Sequence, residues 1–305
     1  MPMLTDGMPA NEVEIDVTLV NRLLSAQFPQ WADLRLEPIV SAGTDNAIFR
    51  LGEDMTVRLP RLLRATGQVE KEHRWLPKLA PLPLAIPMPL GKGKPGEGYP
   101  WHWSIYRWLN GQNATIDRIA DPRQAATALA RFIAALQQID TAGAPLSGQH
   151  NEFRGVPLAM RNPLVRAAIE TLHDVLDANA ATAAWDAALE APVWHGPPVW
   201  LHGDLHSGNL LAERGRLSAV IDFGLLGVGD PACDLMVGWT LLSADSRDVF
   251  RAALPVDDAI WARGRGWALS VGLIALAYYS NTNPVIAGIS RHAIDEVLTD
   301  HTHGA

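Results

Sequence analysis

Cysteine is almost missing. Cys233 stands alone in 305 residues, so no internal disulfide can form and no Cys-rich metal site can be built. Long apolar runs are missing too. The longest uncharged one, Trp267 to Tyr279, is about 13 residues, whereas a membrane-crossing helix needs roughly 20. The first residues have neither a basic region nor an apolar stretch, so no secretory leader is expected, and the protein is read as soluble and cytoplasmic. Basic residues are in the minority, 25 Lys and Arg against 33 Asp and Glu, and the net charge of −8 argues against nucleic acid as a partner. Membrane association and an obligate protein partner are likewise not expected. Hydrophobic residues make up 48% and charged residues 19%, a globular composition rather than a disordered one. Tyr and Phe are sparse at 4 and 6, whereas Trp is over-used at 11. At this length a single core rarely suffices, and two domains are expected.

The charge is uneven. Through Asn110 there are 12 acidic and 12 basic residues; from Gly111 onward there are 21 acidic and 13 basic, so the whole −8 falls on the C-terminal part. A solvated acidic face is the ordinary reading of such an excess, and a site for metal ions or a cationic ligand is the functional one. Residues 1–10 carry no periodicity and read as flexible. Helical spacing runs from Val17 to Phe28, strand signals cover 36–40, 47–51 and 55–59, and a helix is expected from Gln68 to Leu79, with Pro77 ending or bending it. The Pro- and Gly-rich stretch Pro81 to Pro100 has room for short edge strands at most. Trp101 to Leu109 reads as a strand, and Asn110-Gly111 breaks it, placing a boundary between 1–110 and 111–305. Beyond the break, Asp121-Pro122, Asn162-Pro163, Asp230-Pro231 and Asn283-Pro284 each read as a helix cap with a first-turn proline, the second helix running to about Ala178. Between them lies a β island at 199–201, 210–212 and 219–223. The expected architecture is α+β, a small β-rich N-terminal lobe followed by a larger, mainly helical C-terminal lobe.

The chemistry is concentrated in Leu201-His202-Gly203-Asp204-Leu205-His206-Ser207-Gly208-Asn209-Leu210-Leu211, followed by Val220-Ile221-Asp222-Phe223-Gly224. This is a carboxylate, an amide oxygen five positions on, and a second carboxylate after a short hairpin. A carboxylate at a strand end can accept a proton from a hydroxyl, and hard oxygen ligands suit Mg²⁺. Phosphoryl transfer needs this set: a positioned base and metal ions on the phosphate oxygens. A rival reading takes His202-x-Asp204-x-His206 as a metal-ligand strand of a metallohydrolase. The flanking Gly203 and Ser207-Gly208 instead make this a loop, and the other eight His are scattered.

The pattern resembles the aminoglycoside phosphotransferase family, small-molecule kinases on a bilobal protein-kinase-like fold. The signature His-Gly-Asp-x-x-x-x-Asn is matched by His202, Gly203, Asp204 and Asn209, and the metal-binding Asp of the next loop by Asp222. Gly229-Asp230-Pro231-Ala232-Cys233-Asp234-Leu235 resembles the segment where an Asp fixes the loop and starts a helix. The resemblance runs from about Leu36 to Leu298. It implies Asp204 as catalytic base, Asn209 and Asp222 on Mg²⁺, and His202 and Asp230 as loop-orienting residues. His206 and Ser207 line the same loop. The phosphate cation falls on Arg58, where most of the family has Lys, with Glu72 as its carboxylate partner and Glu70 as the alternative. Thr44, in Ser41-Ala42-Gly43-Thr44-Asp45-Asn46, lies in the counterpart of the phosphate-covering loop. The hinge Ile105-Tyr106-Arg107-Trp108-Leu109 would meet adenine through the Arg107 carbonyl and the Leu109 N–H.

The activity so implied is transfer of the γ-phosphate of ATP, with Mg²⁺, to a hydroxyl of a small molecule; GTP stays open as the donor. An aminoglycoside or another antibiotic is one class of acceptor and an endogenous sugar or amino alcohol another. Acceptor candidates are Glu152, Asp174, Asp177, Asp245, Asp257 and Asp258, with Trp239, Trp267, Tyr278 and Tyr279 as flat walls. The alternative from the binding class is a nucleotide-binding pseudokinase, for which only Arg58 leaves room.

Overall fold

The computed structural model describes residues 14–41 and 43–303. The start expected to be flexible, residues 1–10, lies outside the described residues, as does Ala42. The chain divides into two compact units. One holds the described residues up to Ala80 together with Pro87–Leu109; the other holds Pro81–Ile86 together with the described residues from Asn110 onward. Two details differ from a boundary after residue 110. Asn110 goes with the second unit, and so does the segment 81–86, because Ala85 is stitched into that unit's sheet. Its N–H donates to the Ser218 carbonyl at 3.1 Å and its carbonyl accepts from the Val220 N–H at 2.9 Å.

The first unit is an antiparallel sheet of β1 (Leu36–Ile39), β2 (Asn46–Leu51), β3 (Met55–Pro60), β4 (Pro89–Gly93) and β5 (Trp103–Arg107), in the order β1-β2-β3-β5-β4. Two helices accompany it, α1 (Val17–Gln27), capped by Asp16, and α2 (Thr66–Leu79). Period-two alternation gives each strand two faces. Val57 and Leu59 of β3 and Trp103 and Ile105 of β5 join the core that α1 covers with Leu19, Val20, Leu23 and Leu24. The intervening Arg58, Ser104 and Tyr106 reach α2 instead, at Glu72 and His73. Pro77 does not end α2, since it sits in the last turn, two residues before Leu79. The proline-rich stretch supplies β4 at the sheet edge. There Gly93 lies against the buried Trp103: a Cβ on it would meet the indole at 2.0 Å. Gly93→Ala is therefore expected to destabilise the protein by about 1–3 kcal/mol through overpacking, seen as a lower urea midpoint with an unchanged slope.

The second unit carries a three-stranded sheet of β6 (Gln112–Asn113), β8 (Leu210–Glu213) and β9 (Arg216–Val220), and a two-stranded one of β7 (Val199–Leu201) and β10 (Gly227–Gly229). Its helices are α3 (Pro122–Gln137), α4 (Asn162–Thr171), α5 (Ala178–Glu190), α6 (Val237–Thr240), α7 (Ala244–Ala252), α8 (Asp258–Tyr279) and α9 (Pro284–His303). Asp121 caps α3 by accepting from the Arg123 and Gln124 N–H groups, as its place before Pro122 suggests. The helix expected from Asn162 to about Ala178 stops at Thr171; Ala178 instead begins α5, whose N-cap Asp177 accepts from the Ala180 N–H at 2.9 Å. Asn162 is not a cap; its side-chain oxygen accepts from Trp185 and Arg166. Asp230-Pro231 opens a 3-10 segment, Pro231–Met236, rather than an α-helix. α8 is apolar nearly all round and packs against α4, α5, α9 and that segment. Among the described residues no helix is long and apolar enough to cross a membrane.

Candidate active site

Asp204 sits in the loop that leaves β7, and the loop is held by its backbone. The Asp234 carboxylate accepts from the His202 N–H at 2.7 Å and the Gly203 N–H at 2.8 Å. Gly203 has φ +84°, and a Cβ there would meet the Leu225 carbonyl at 2.7 Å, so only glycine fits. His202 is fully buried, edge-on to Phe223. Its Nδ1 accepts from the Asp204 N–H at 3.2 Å, which leaves the proton on Nε2 to donate to the Ile221 carbonyl at 3.0 Å. A histidine with both ring nitrogens used on backbone is a brace, not a metal ligand.

Asn209 returns to Asp204. Its amide nitrogen donates to the Asp204 carbonyl at 2.9 Å and to Oδ2 at 3.0 Å. His206 accepts from the Gly208 N–H at Nδ1, so Nε2 carries the proton and faces Asp204 Oδ2 at 3.4 Å. The Arg154 guanidinium lies on the other oxygen, with Nη2 3.8 Å from Oδ1. Burial pushes the Asp204 carboxyl up, but His206, Arg154 and His202 outweigh it and hold it well below the ordinary carboxylate range. The group is an ionised carboxylate at neutral pH.

Asp222 is brought to the same loop by backbone. The Ile221 N–H donates to the Asn209 carbonyl at 2.9 Å. β9 ends at Val220, short of the expected Phe223, because Asp222 turns left-handed at φ +61° while its side chain accepts from the Gly224 N–H. The donor set is then the Asp222 carboxylate and the Asn209 amide oxygen, hard oxygens that fit Mg²⁺. Among the described residues no three His, Cys, Asp or Glu side chains are arranged to hold a metal ion. The reading of His202, Asp204 and His206 as zinc ligands has no geometry to rest on.

In the first unit, Arg58 of β3 meets Glu72 of α2, Nη1 to Oε1 at 3.0 Å, with Glu72 2% exposed. Gln68 accepts from Arg58 Nη2 at 3.2 Å, and the Asn46 amide, with its oxygen turned to Arg58, accepts from Nε at 3.1 Å and Nη2 at 2.9 Å. The Tyr106 hydroxyl donates to Glu72 Oε2, and burial, reinforced by Glu72, pushes that phenol well above its ordinary range. Glu70 is turned elsewhere, to Lys92 at 2.8 Å. Thr44 is exposed, its hydroxyl on Asp45. β5 ends at Arg107, and Asp54 accepts from the Trp108 N–H at 2.7 Å, leading the chain to Leu109.

The acceptor candidates are not brought together. Trp239 and Trp267 are fully buried, so neither can wall a substrate. Trp239 packs at a tilt against Trp261 and Trp267 lies under Arg161. Asp177 and Asp257 cap α5 and α8, and Asp258 pairs with Arg251. Asp174 is exposed beside His173, Asp245 is exposed in the first turn of α7, and Tyr278 is 62% exposed, edge-on to Tyr279. Glu152 is exposed, and its carbonyl accepts from Arg161. Asp230, expected to orient the loop, instead caps Ala232 and is gripped by Arg263; the carboxylate on the loop is Asp234, four residues on. Pro231 drew attention to Asp230 as the cap, and no local signal marked Asp234. Arg154, in Arg154-Gly155-Val156-Pro157, reads in the sequence only as part of a loop with no direction assigned.

The chain is similar to solved structures of aminoglycoside and macrolide phosphotransferases. With a mutant aminoglycoside 2'-phosphotransferase-IIIa in complex with GDP it shares 19% identity at a TM-score of 0.72, covering 95% of this chain and 100% of that one. With the apoenzyme of macrolide 2'-phosphotransferase MphH from Brachybacterium faecium the values are 21% and 0.59, over 92% and 98%. With a thermostable mutant of aminoglycoside phosphotransferase APH(4)-Ia bound to AMP-PNP and hygromycin B they are 22% and 0.60, over 93% and 98%. No curated protein matches the sequence. The fold is the kinase-like fold of these phosphotransferases. The family model APH, described as the phosphotransferase enzyme family, matches residues 38–267, and the chain belongs to that family.

Proposed function

We propose that this phosphotransferase transfers the γ-phosphate of ATP to a hydroxyl of a small molecule with the help of Mg²⁺. The observation that carries the reading is the Asp204 carboxylate, fixed at Oδ2 by Asn209 at 3.0 Å, with Asp222 tied to the same loop through Ile221 and Asn209. Asp204 takes the proton of the attacking hydroxyl. Asn209 and Asp222 hold Mg²⁺, which when bound would neutralise charge on the phosphate oxygens. Arg58, held straight by Glu72, Gln68 and Asn46, takes the nucleotide's phosphates. Arg keeps the positive charge that Lys would bring and adds a planar fork able to bind two oxygens at once. Similar proteins are complexed with GDP or AMP-PNP and with hygromycin B, which supports a nucleotide donor and an antibiotic-sized acceptor.

The test is a screen of ADP formation over antibiotics and hydroxylated metabolites, with the product checked for the mass of one phosphoryl group. Acceptor-dependent ADP formation that EDTA abolishes is the expected result. A protein that binds ATP and Mg²⁺ yet never forms ADP would point to the pseudokinase instead. Glu72→Gln is expected to weaken ATP binding roughly tenfold, the worth of a hydrogen bond to a charged group, because Arg58 and Tyr106 lose a shared anion; calorimetric titration with AMP-PNP checks it.

A further inference from the structure

Among the described residues of the second unit four arginines are buried, and three are satisfied: Arg263 by Asp230 and the Pro192 carbonyl, Arg247 by Glu296, Asp300 and the Gly238 carbonyl, Arg161 by the Glu152 carbonyl and Ser270. Arg154 is the exception. Its side chain is 7% exposed, and Nε is buried without a partner. Its one charge contact, 3.8 Å to Asp204 Oδ1, is longer than a hydrogen bond. A guanidinium N–H buried without a partner, as Nε is here, is costly. The stem lies against Gly203, whose added Cβ would come 3.2 Å from the Arg154 Cβ and 3.3 Å from its Cγ. The base of the side chain is anchored, since Asn151 Nδ2 donates to the Arg154 carbonyl at 3.0 Å. Just before it, Glu152 and Phe153 both hold left-handed backbone at φ +51° and +58°, strain of the kind that collects at functional sites. Arg161 nearby adds positive charge without a carboxylate partner; burial first, and then Arg154, pulls its pKa down to about 10.

We propose that Arg154 forms an anion subsite beside Asp204 Oδ1, its donors receiving an oxyanion in the working complex. Asp204 Oδ2 is taken by Asn209 and His206, so Oδ1 is the oxygen left to face the reacting hydroxyl, and Arg154 lies beside it. The oxyanion has two sources: an oxygen of the phosphoryl group in transfer, or a carboxylate or phosphate on the acceptor. Naming those sources rests on the kinase reading; the existence of the subsite does not.

The test compares the wild-type protein with Arg154→Met and Arg154→Lys, measuring affinity for AMP-PNP and ADP, both with Mg²⁺, and the thermal shift produced by sulfate. If the phosphoryl group is the ligand, Arg154→Met weakens AMP-PNP by about tenfold or more and leaves ADP unchanged. If the acceptor supplies the anion, both nucleotides bind as before, while the saturable upward shift with sulfate disappears. Arg154→Lys keeps the charge but not the fork, so it shows the same losses in smaller measure; it decides the matter if the Met variant does not fold. An unchanged AMP-PNP to ADP ratio together with a sulfate response that is unchanged or absent in every form overturns the subsite. A wild-type protein that binds neither nucleotide defeats the kinase reading, and the sulfate arm still decides Arg154.

Discussion

Asp204→Asn is expected to lower phosphoryl transfer by about 10²–10⁴-fold, the usual worth of a positioned general base, while nucleotide affinity stays near that of the wild type. The substitution keeps size and shape, and the new side-chain oxygen can still accept from Asn209 Nδ2, now at 3.0 Å from Asp204. What is lost is the proton acceptor and the charge that faces Arg154 and His206. Single-turnover rates and AMP-PNP titrations separate the two effects, and transfer within tenfold of wild type would remove Asp204 from the role of base. A pH profile adds a second check. The Asp204 carboxyl is held below the ordinary carboxylate range, so it remains ionised as pH falls through that range. Its ion pairs therefore stabilise the fold fully above the ordinary range, and that stabilisation is lost progressively as pH falls from the ordinary range through the lowered value. An acid limb of transfer at mildly acidic pH that vanishes in Asp204→Asn would contradict that placement.

The second large effect concerns stability. Arg263→Met is expected to destabilise the helical unit by about 3–5 kcal/mol, the cost of stranding one partner of a buried ion pair. Asp230 and Arg263 are 5% and 4% exposed at their side chains. They meet through Nε to Oδ2 at 2.7 Å and Nη2 to Oδ1 at 3.2 Å, while Arg263 Nη1 also donates to the Pro192 carbonyl. Asp230→Ala should cost a similar amount, since it leaves the guanidinium buried and opens the cap on the Ala232 N–H. The double variant should lose much less than the sum, because neither charge is then left alone. Calorimetric melting of the four proteins checks this. Additive losses would mean that the pair is not energetically coupled.

Much of the site was legible because its parts are close in sequence. Asp204 and Asn209 lie within six residues, and Asp222 follows after one hairpin, so spacing alone constrains their separation. Caps were legible for the same reason: Asp121 before Pro122 specifies a local hydrogen bond. The failures share a cause of the opposite kind. Asp230 and Asp234 are both acidic, both in one turn, and only the return of β7 to that turn decides which carboxylate receives the His202 and Gly203 amides. Trp239 and Trp267 look alike as flat walls or as core in a sequence, and the packing around α8 made them core. Arg58 and Glu72 form the opposite case. Strand alternation puts Arg58 on the face away from Val57 and Leu59, and α2 brings Glu72 rather than Glu70 to that face.

By itself the sequence determined the absence of an internal disulfide, the helix starts at Asp121 and Asn283, and the closeness of Asp204, Asn209 and Asp222, which depends on residues near one another along the chain. Only the tertiary structure decided that Asp234 holds the loop and that Arg154 reaches Asp204. Each of these joins residues from separate elements, and no local propensity records which of several like charges the fold will bring within a few ångströms of another.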